Sequence, residues 1–393
     1  FHSGSREFRG FKTVVQTNAV DSPYETITET KFHQDYYRKG RQYQEKLKAP
    51  ETNAVLSKTS FTWDRLYFNS SAFVRLLEKR TESYDDVTVT SKEVYTYDDV
   101  NGNLLSKTVS GTNAESVTLY YRYAKLGGWM WRKTRETVTG SVSSYVRRTD
   151  YEYDNDTGNL LLKRFWLRGI PSSSYPKIEM TYDQYGNQKT VIDPRSNTTT
   201  TDYDTATRTF PIKITYPKTN GIAHVVRNEA WDYRFGKVTI TKDENGNRTY
   251  YDYDEFGRPV RVNSPNGGQV TTTYVDDEFP RYVVTKVKEN DSGNTIDAYQ
   301  YLDGLGRDIQ TITFGEDGQS IVTQKLYDAL GRNDLTKGPF FAGGVGYPLE
   351  ASGLYPWQQT NFDLRGRPEI IQNGDGEYGF FALIFSCLLY TSD

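Results

Sequence analysis

The 393-residue sequence contains one cysteine, Cys387, three histidines and two methionines. A single cysteine excludes an intrachain disulfide and a cysteine-rich zinc site. His2, His33 and His224 stand far apart, with no HExxH pair and no His/Cys cluster, so surface or packed histidine is the expected role of each. No stretch of about 18 consecutive apolar residues occurs, so no membrane-spanning helix is expected. Charge of one sign is also lacking: 48 Lys+Arg face 51 Asp+Glu, a net −3. A nucleic-acid surface needs a basic excess, so no nucleic-acid partner is expected. The chain opens Phe1-His2-Ser3-Gly4-Ser5, without Met or an apolar leader. We therefore expect a piece of a longer protein.

Apolar residues are scarce as well. They make up 36% of the chain, and counting Gly in place of Tyr changes nothing, because there are 32 of each. Globular domains usually reach about 45–50%. A thick three-dimensional core is thereby excluded. Disorder is opposed by the 15% aromatic content and the small net charge. A wide single-layer sheet or solenoid satisfies both conditions, since such folds carry much surface per residue.

What is abundant is arranged as a repeat. Tyr-Asp is followed after about two residues by Gly and then Arg or Asn. The clearest copies are Tyr253-Asp254-Glu255-Phe256-Gly257-Arg258 and Tyr327-Asp328-Ala329-Leu330-Gly331-Arg332. Phe362-Asp363-Leu364-Arg365-Gly366-Arg367 carries Phe for Tyr, and Tyr182-Asp183-Gln184-Tyr185-Gly186-Asn187 ends on Asn. Tyr301-Leu302-Asp303-Gly304-Leu305-Gly306-Arg307 has one extra residue after Tyr. Longer turns occur at 97–103 and 153–159, a degenerate copy at 231–237, and a half-unit without Tyr at 243–247. The chemistry is that of a hairpin. Asp accepts hydrogen bonds from backbone N–H groups further along the turn. Gly supplies the positive φ. Tyr ends one strand and offers its ring to an aromatic of the next. Segments such as Val270-Thr271-Thr272-Thr273-Tyr274 have strand composition. Each hairpin cannot bury a face alone, so stacked units should share one all-β, antiparallel sheet. The candidate structural positions are Asp183, Gly186, Asp254, Gly257, Asp303, Gly306, Asp328, Gly331, Asp363 and Gly366. Residues 69–80 (NSSAFVRLLEKR) suit one Ser-capped helix or a strand equally. Gly/Pro clusters at 169–174 and 338–344 mark loops.

These units, with the Asp303-Gly304-Leu305-Gly306-Arg307 variant, resemble the bacterial RHS/YD-repeat family. Arg6-Glu7-Phe8-Arg9-Gly10-Phe11 resembles the segment before the repeats in the B component of ABC toxin complexes. The resemblance divides the chain into a middle-type region (1–90), YD repeats (91–370) and a truncated end (371–393). It implies an open strip of a hollow β-shell, a scaffold that encapsulates a toxic C-terminal polypeptide. The implied partners are that cargo, a C component and a pore-forming A component, in a secreted or cell-surface bacterial protein. The alternative is a cell-surface YD-repeat protein that binds glycans or proteins. Residues 379–393 (GFFALIFSCLLYTSD) break the repeat grammar. They read as out-of-frame or adaptor-derived translation, or else as a short membrane-active segment, and Cys387 shares that reading.

No catalytic, cofactor or metal site emerges. Asp252-x-Asp254 with Gly257 resembles the start of an EF-hand loop, but the twelfth position is Asn263 and the bidentate carboxylate is absent. Asp154-Asn155-Asp156-Thr157-Gly158 reads as turn closure rather than a calcium loop. Gly304-x-Gly306 is followed by Ile309 where a dinucleotide loop needs glycine. Asp98/Asp99 and Asp276/Asp277 lie beside turns, where solvated carboxylates are ordinary. Trp129 and Trp131 suit sugar stacking or cross-strand packing, and packing is favoured because Tyr recurs in phase with the turns. The chain is expected not to be an enzyme.

Overall fold

The computed structural model describes residues 9–380 except 69–70, 129, 143–145, 290–292, 316–317, 352 and 375–377. It contains 28 strands, numbered in chain order from β1 (Thr13–Asn18) to β28 (Tyr378–Phe380). Each strand pairs antiparallel with its chain neighbours, as in β17 (Lys237–Lys242) with β18 (Arg248–Tyr253), and β18 with β19 (Pro259–Asn263). Among the described residues β1 and β28 do not pair, so the sheet is an open strip. The only helical piece among them is a 3-10 turn at Ser172–Ser174.

The strands follow from local composition. In β18 the side chains alternate: Arg248, Tyr250 and Asp252 are exposed, while Thr249, Tyr251 and Tyr253 are half-buried. The segment that suited helix or strand is strand. β5 (Ser71–Ser83) pairs with β4 (Val55–Phe68) from Ser57↔Ser83 to Phe68↔Ser71. A long cross-strand ladder outweighs the weak helix preference of Leu, Glu, Lys and Arg there. Strand pairing continues without interruption past residue 90, from β5 to β6 (Val89–Tyr97). Of the apolar tail, Gly379 and Phe380 lie in β28, opposite Ile371 and Ile370. Residues 381–393, with Cys387, lie outside the described residues.

Most of the sheet is half-buried on both faces, as a single layer must be. One place differs. Across β22 (Thr295–Leu302), β23 (Asp308–Phe314), β24 (Ser320–Tyr327) and β25 (Asn333–Ala342), the side chains of Tyr301, Ile312, Val322, Phe340 and Ala342 form a buried cluster. Between β25 and β26 (Trp357–Phe362), residues 343–351 and 353–356 fold over it as a strap, packing Val345, Leu349, Ala351 and Tyr355 against the cluster. The Gly/Pro cluster at 338–344 reads as a loop, but residues 338–342 complete β25 against β24 and only 343–344 lead into the strap, whose return onto the sheet the cluster does not signal. Polar side chains fasten it. Gln310 Nε2 donates to Gly346 O at 2.7 Å, and Leu349 N donates to Gln310 Oε1 at 3.0 Å. Gln324 Nε2 donates to Leu349 O and to Gln310 Oε1, each at 2.8 Å. Tyr301 and Ser320 hydroxyls donate to Val345 O and Gly344 O. Two glutamines buried under a loop are tolerated because their amides are hydrogen-bonded to it.

Gln310→Leu removes both the donor to Gly346 and the acceptor for Leu349 beneath the strap. It also removes an acceptor from the amide of Gln324, which is itself buried, and leaving such a group short of a partner costs about 1–3 kcal/mol. The expected outcome is a lower urea midpoint by circular dichroism. An unchanged midpoint would show that the strap adds nothing to stability.

Candidate functional site: the turn edge and its seam

In an antiparallel meander, alternate connections fall on opposite long edges of the strip. Every YD turn follows an even-numbered strand: 183–187 follows β12 (Lys177–Tyr182), 254–258 follows β18, 303–307 follows β22, 328–332 follows β24 and 363–367 follows β26. The full repeat therefore lines one edge, while the half-unit at 243–247, which follows β17, lies on the other.

Each turn is closed by its aspartate. At Asp254, the N–H donates to Arg258 O at 2.9 Å and the carbonyl accepts from Gly257 N at 3.1 Å. Its Oδ1 accepts from the N–H groups of Phe256 (2.9 Å) and Arg258 (2.8 Å), and Oδ2 accepts from Arg258 Nε at 2.7 Å. The same pattern holds at Asp303, Asp328 and Asp363. At Asp183 the side-chain amide of Asn187 replaces the guanidinium. Gly186, Gly257, Gly306, Gly331 and Gly366 all take positive φ between 76° and 87°. One turn of this type escapes the repeat pattern: Asp193 closes 193–197 on the opposite edge with Ser196 at φ 65° in the glycine position. Nothing but the Asp-to-Asn spacing signals it.

The turns are linked to one another. Arg258 lies 4.1 Å over the ring of Tyr274, Arg307 4.2 Å over Tyr327, and Arg332 4.2 Å over Phe362. Each arginine is thus paired with its own turn aspartate and stacked on the aromatic that ends the next hairpin. The glycine leaves room for it, since a Cβ on Gly331 would stand 2.9 Å from Arg307 Nη1. The tyrosine hydroxyl points the other way. Tyr253 donates to Val238 O, Tyr182 to Leu160 O and Tyr327 to Asp308 O, each at 2.9 Å, on the preceding strand. This corrects the expectation that the ring meets an aromatic of the next strand. Such pairs occur, as at Tyr282–Tyr301 with centroids 5.0 Å apart. At Tyr182, Tyr253 and Tyr327, however, a carbonyl takes the hydroxyl, and at Tyr327 and Phe362 an arginine covers the ring. Arginine is favoured because its guanidinium serves carboxylate and ring at once.

The last turns reach the first loops. Arg332 also sits 4.7 Å over the ring of Tyr24. Arg365 Nε donates to Leu56 O at 3.3 Å, and Arg365 and Arg367 approach the Asp85 carboxylate at 3.5 and 2.9 Å. Tyr24 and Asp85 lie in connections that follow odd-numbered strands, and Leu56 lies at the start of β4 just after another, all on the edge opposite to the YD turns. The strip therefore winds back so that its YD edge rests on its own opposite edge. Side chains, not backbone ladders, make this seam.

Electrostatics favour the ionised turn. At Asp303 the backbone N–H of Arg307 holds the carboxyl below its usual range, the guanidinium adds to this, and burial opposes both. Burial pushes the carboxyl of Asp204 up, but N–H groups of Thr207, Phe210 and Thr209 and the Thr207 hydroxyl outweigh it, leaving the group well below the usual range.

The other singled-out residues fall apart in space. His224 pairs with Glu244, and His33 packs beside Tyr43. Asp99 binds Arg75 at 2.7 Å, Asp276 binds Arg258 at 2.8 Å, and Asp154 accepts from the Thr157 N–H and hydroxyl. His2, residues 6–8 and Trp129 lie outside the described residues. The arginine stacking and the seam were not foreseen. A basic residue closing one unit before an aromatic opens the next was the available signal for the first; Asp85 carries none.

The molecule is thus an open antiparallel repeat sheet coiled onto itself. Among solved structures it is similar to the crystal structure of TcdB2-TccC3-Cdc42, with TM-score 0.73 and 11% identity, and to that of TcdB2-TccC3-TEV, with 0.71 and 10%; each match covers 96% of this chain and 32% of that one. TcdB2-TccC3 itself matches with TM-score 0.61 and 13% identity, over 96% of this chain and 30% of that one. The likeness establishes the fold, and the chain spans about a third of the length of those chains. Residues 277–363 match a family described as a domain of unknown function, DUF6443. That span holds the strap and its buried cluster. No curated protein matches the chain.

Two outcomes test this edge. Asp85→Lys should raise amide hydrogen exchange across residues 49–56 and 84–88, and adding Arg365→Glu should lower it again; equal exchange in wild type and Asp85→Lys would deny the seam. The depressed pKa of Asp204 stabilises the fold above the unfolded value of about 3.9, and that contribution is lost as pH falls through the folded value. The urea-midpoint difference between wild type and Asp204→Asn should stay constant above about pH 5 and shrink below about 3.9.

Proposed function

We propose that this chain is a stretch of wall in the hollow shell of a secreted toxin-type complex. It acts as a scaffold that encloses a toxic polypeptide and is not itself an enzyme. The observation that carries this reading is the seam. A strip that rests its turn edge on its own first loops builds a wall by winding. The fold shared with the TcdB2-TccC3 structures supports it. So does the use of the repeat carboxylates, which are tied to their own turns. The partners on this reading are the cargo, a C component and a pore-forming A component. The boundaries near residues 90 and 370 are then changes of repeat grammar within one wall. The alternative, a surface glycan- or protein-binding repeat, has less support, because arginines and carbonyls already engage the repeat aromatics.

The test is protection of a reporter cargo from protease in a reconstituted shell. The sensitive residues on this reading are the turn glycines. Gly257 has φ 76°, and a Cβ there would stand 2.9 Å from the Phe235 ring. Gly257→Val forces a β-branched residue into that conformation, a strain of about 1–3 kcal/mol, and should increase leakage. Glu255→Ala, at an exposed turn position, should not. A hydrolytic activity abolished by a single carboxylate substitution with the fold intact would sink the scaffold reading.

A further inference from the structure

A second feature, independent of the repeat turns and of the scaffold reading, lies on β8 (Ala114–Leu126), β9 (Met130–Gly140), β10 (Val146–Tyr153), β11 (Leu160–Phe165) and β12. Register places Arg122 opposite Arg135, Arg135 opposite Asp150, Asp150 opposite Arg164 and Arg164 opposite Lys177. The five residues form one row across the strands on one face. At about 4.8 Å between strands, the row is about 19 Å long. It floors an open groove of about 680 Å³, flanked by Arg148 and Glu152 and overhung by Ser172, Ser173 and Tyr175 from the 166–176 loop.

The charges do not balance. Arg135 Nε and Arg148 Nη2 share Asp150, at 2.5 and 2.6 Å. Arg164 pairs with Glu152, and Lys177 with Glu179 at the rim. Arg122 is exposed and has no ion-pair partner among the described residues. Five cations thus meet three carboxylates. Two of the four cross-strand pairs in the row, Arg122↔Arg135 and Arg164↔Lys177, set like charges directly opposite each other, an arrangement that destabilises a sheet. A bound anion would relieve both.

We propose that this groove binds an extended acidic segment of polypeptide. A single small anion would reach one or two strands, whereas the row spans five. With Asp150, Glu152 and Glu179 already in place the excess is two positive charges, which suits a few carboxylates spaced along a polypeptide rather than a densely sulfated chain. The three hydroxyls of the overhanging loop supply donors for peptide carbonyls or carboxylates.

The experiment is fluorescence anisotropy of a labelled decaglutamate peptide with the full chain at low salt. Binding is expected, weakening as salt rises. Arg122→Glu should weaken it by about tenfold, the scale of one charged hydrogen bond. Arg227→Ala, an exposed arginine on another strand, should leave it unchanged, with circular dichroism confirming both folds. No binding at low salt, or equal affinity for wild type and Arg122→Glu, overturns the proposal. So does tighter binding of a sulfated oligosaccharide through the same arginine. None of these outcomes bears on cargo protection, so the scaffold reading stands or falls separately.

Discussion

A carboxylate that accepts two backbone N–H groups and one side-chain N–H, from arginine at four turns and from asparagine at Asp183, organises the clear repeats. The aspartate turns the chain, and its arginine, held by that contact, extends over the aromatic ending the next hairpin. Arg258, Arg307 and Arg332 do this in succession. The tyrosine hydroxyl binds the preceding strand, so each hairpin is fastened on both sides. A single-layer sheet has little interior to bury. Its cohesion must come from ladders of backbone hydrogen bonds and from such lateral side-chain contacts. Individually these are weak, but they recur at every turn along one edge.

The strap is the exception that shows what the rest lacks. Among the described residues only the stretch across β22 to β25 is covered by a second layer, and only there does a cluster of side chains lose nearly all contact with solvent. That burial requires polar groups to follow the backbone inside, and Gln310, Ser320 and Gln324 provide them. The coincidence of this covered stretch with the DUF6443 match suits a local unit within a longer repeat array.

Edge pairing is a hazard for any open sheet, because unpaired strand edges invite another chain. Among the described residues the unpaired strand edges are those of β1 and β28; the long sides of the strip consist of turns, and the aspartate turns close on their own backbone groups. These sides meet through arginine, carboxylate and ring. Such contacts adapt to a winding whose strands do not align, which a backbone ladder could not do.

Much of the design was legible in the residues alone. The Tyr-Asp-x-x-Gly-Arg spacing carries its own turn chemistry, so the hairpins, their glycines at positive φ and the antiparallel class follow from contacts within five or six residues. The shortage of apolar residues pointed correctly to a sheet without a thick core. Three things were decided only by tertiary structure. Residues 71–80 became strand because a facing ladder was available, not because of their own preference. The strap found its place through Gln310 and Gln324, whose partners lie 25 to 39 residues away. Asp85 met Arg367 across a separation of 282 residues. A repeat encodes what each unit does to its neighbour. Where the coiled strip meets itself depends on twist and curvature accumulated over the intervening strands, and no single unit carries that sum.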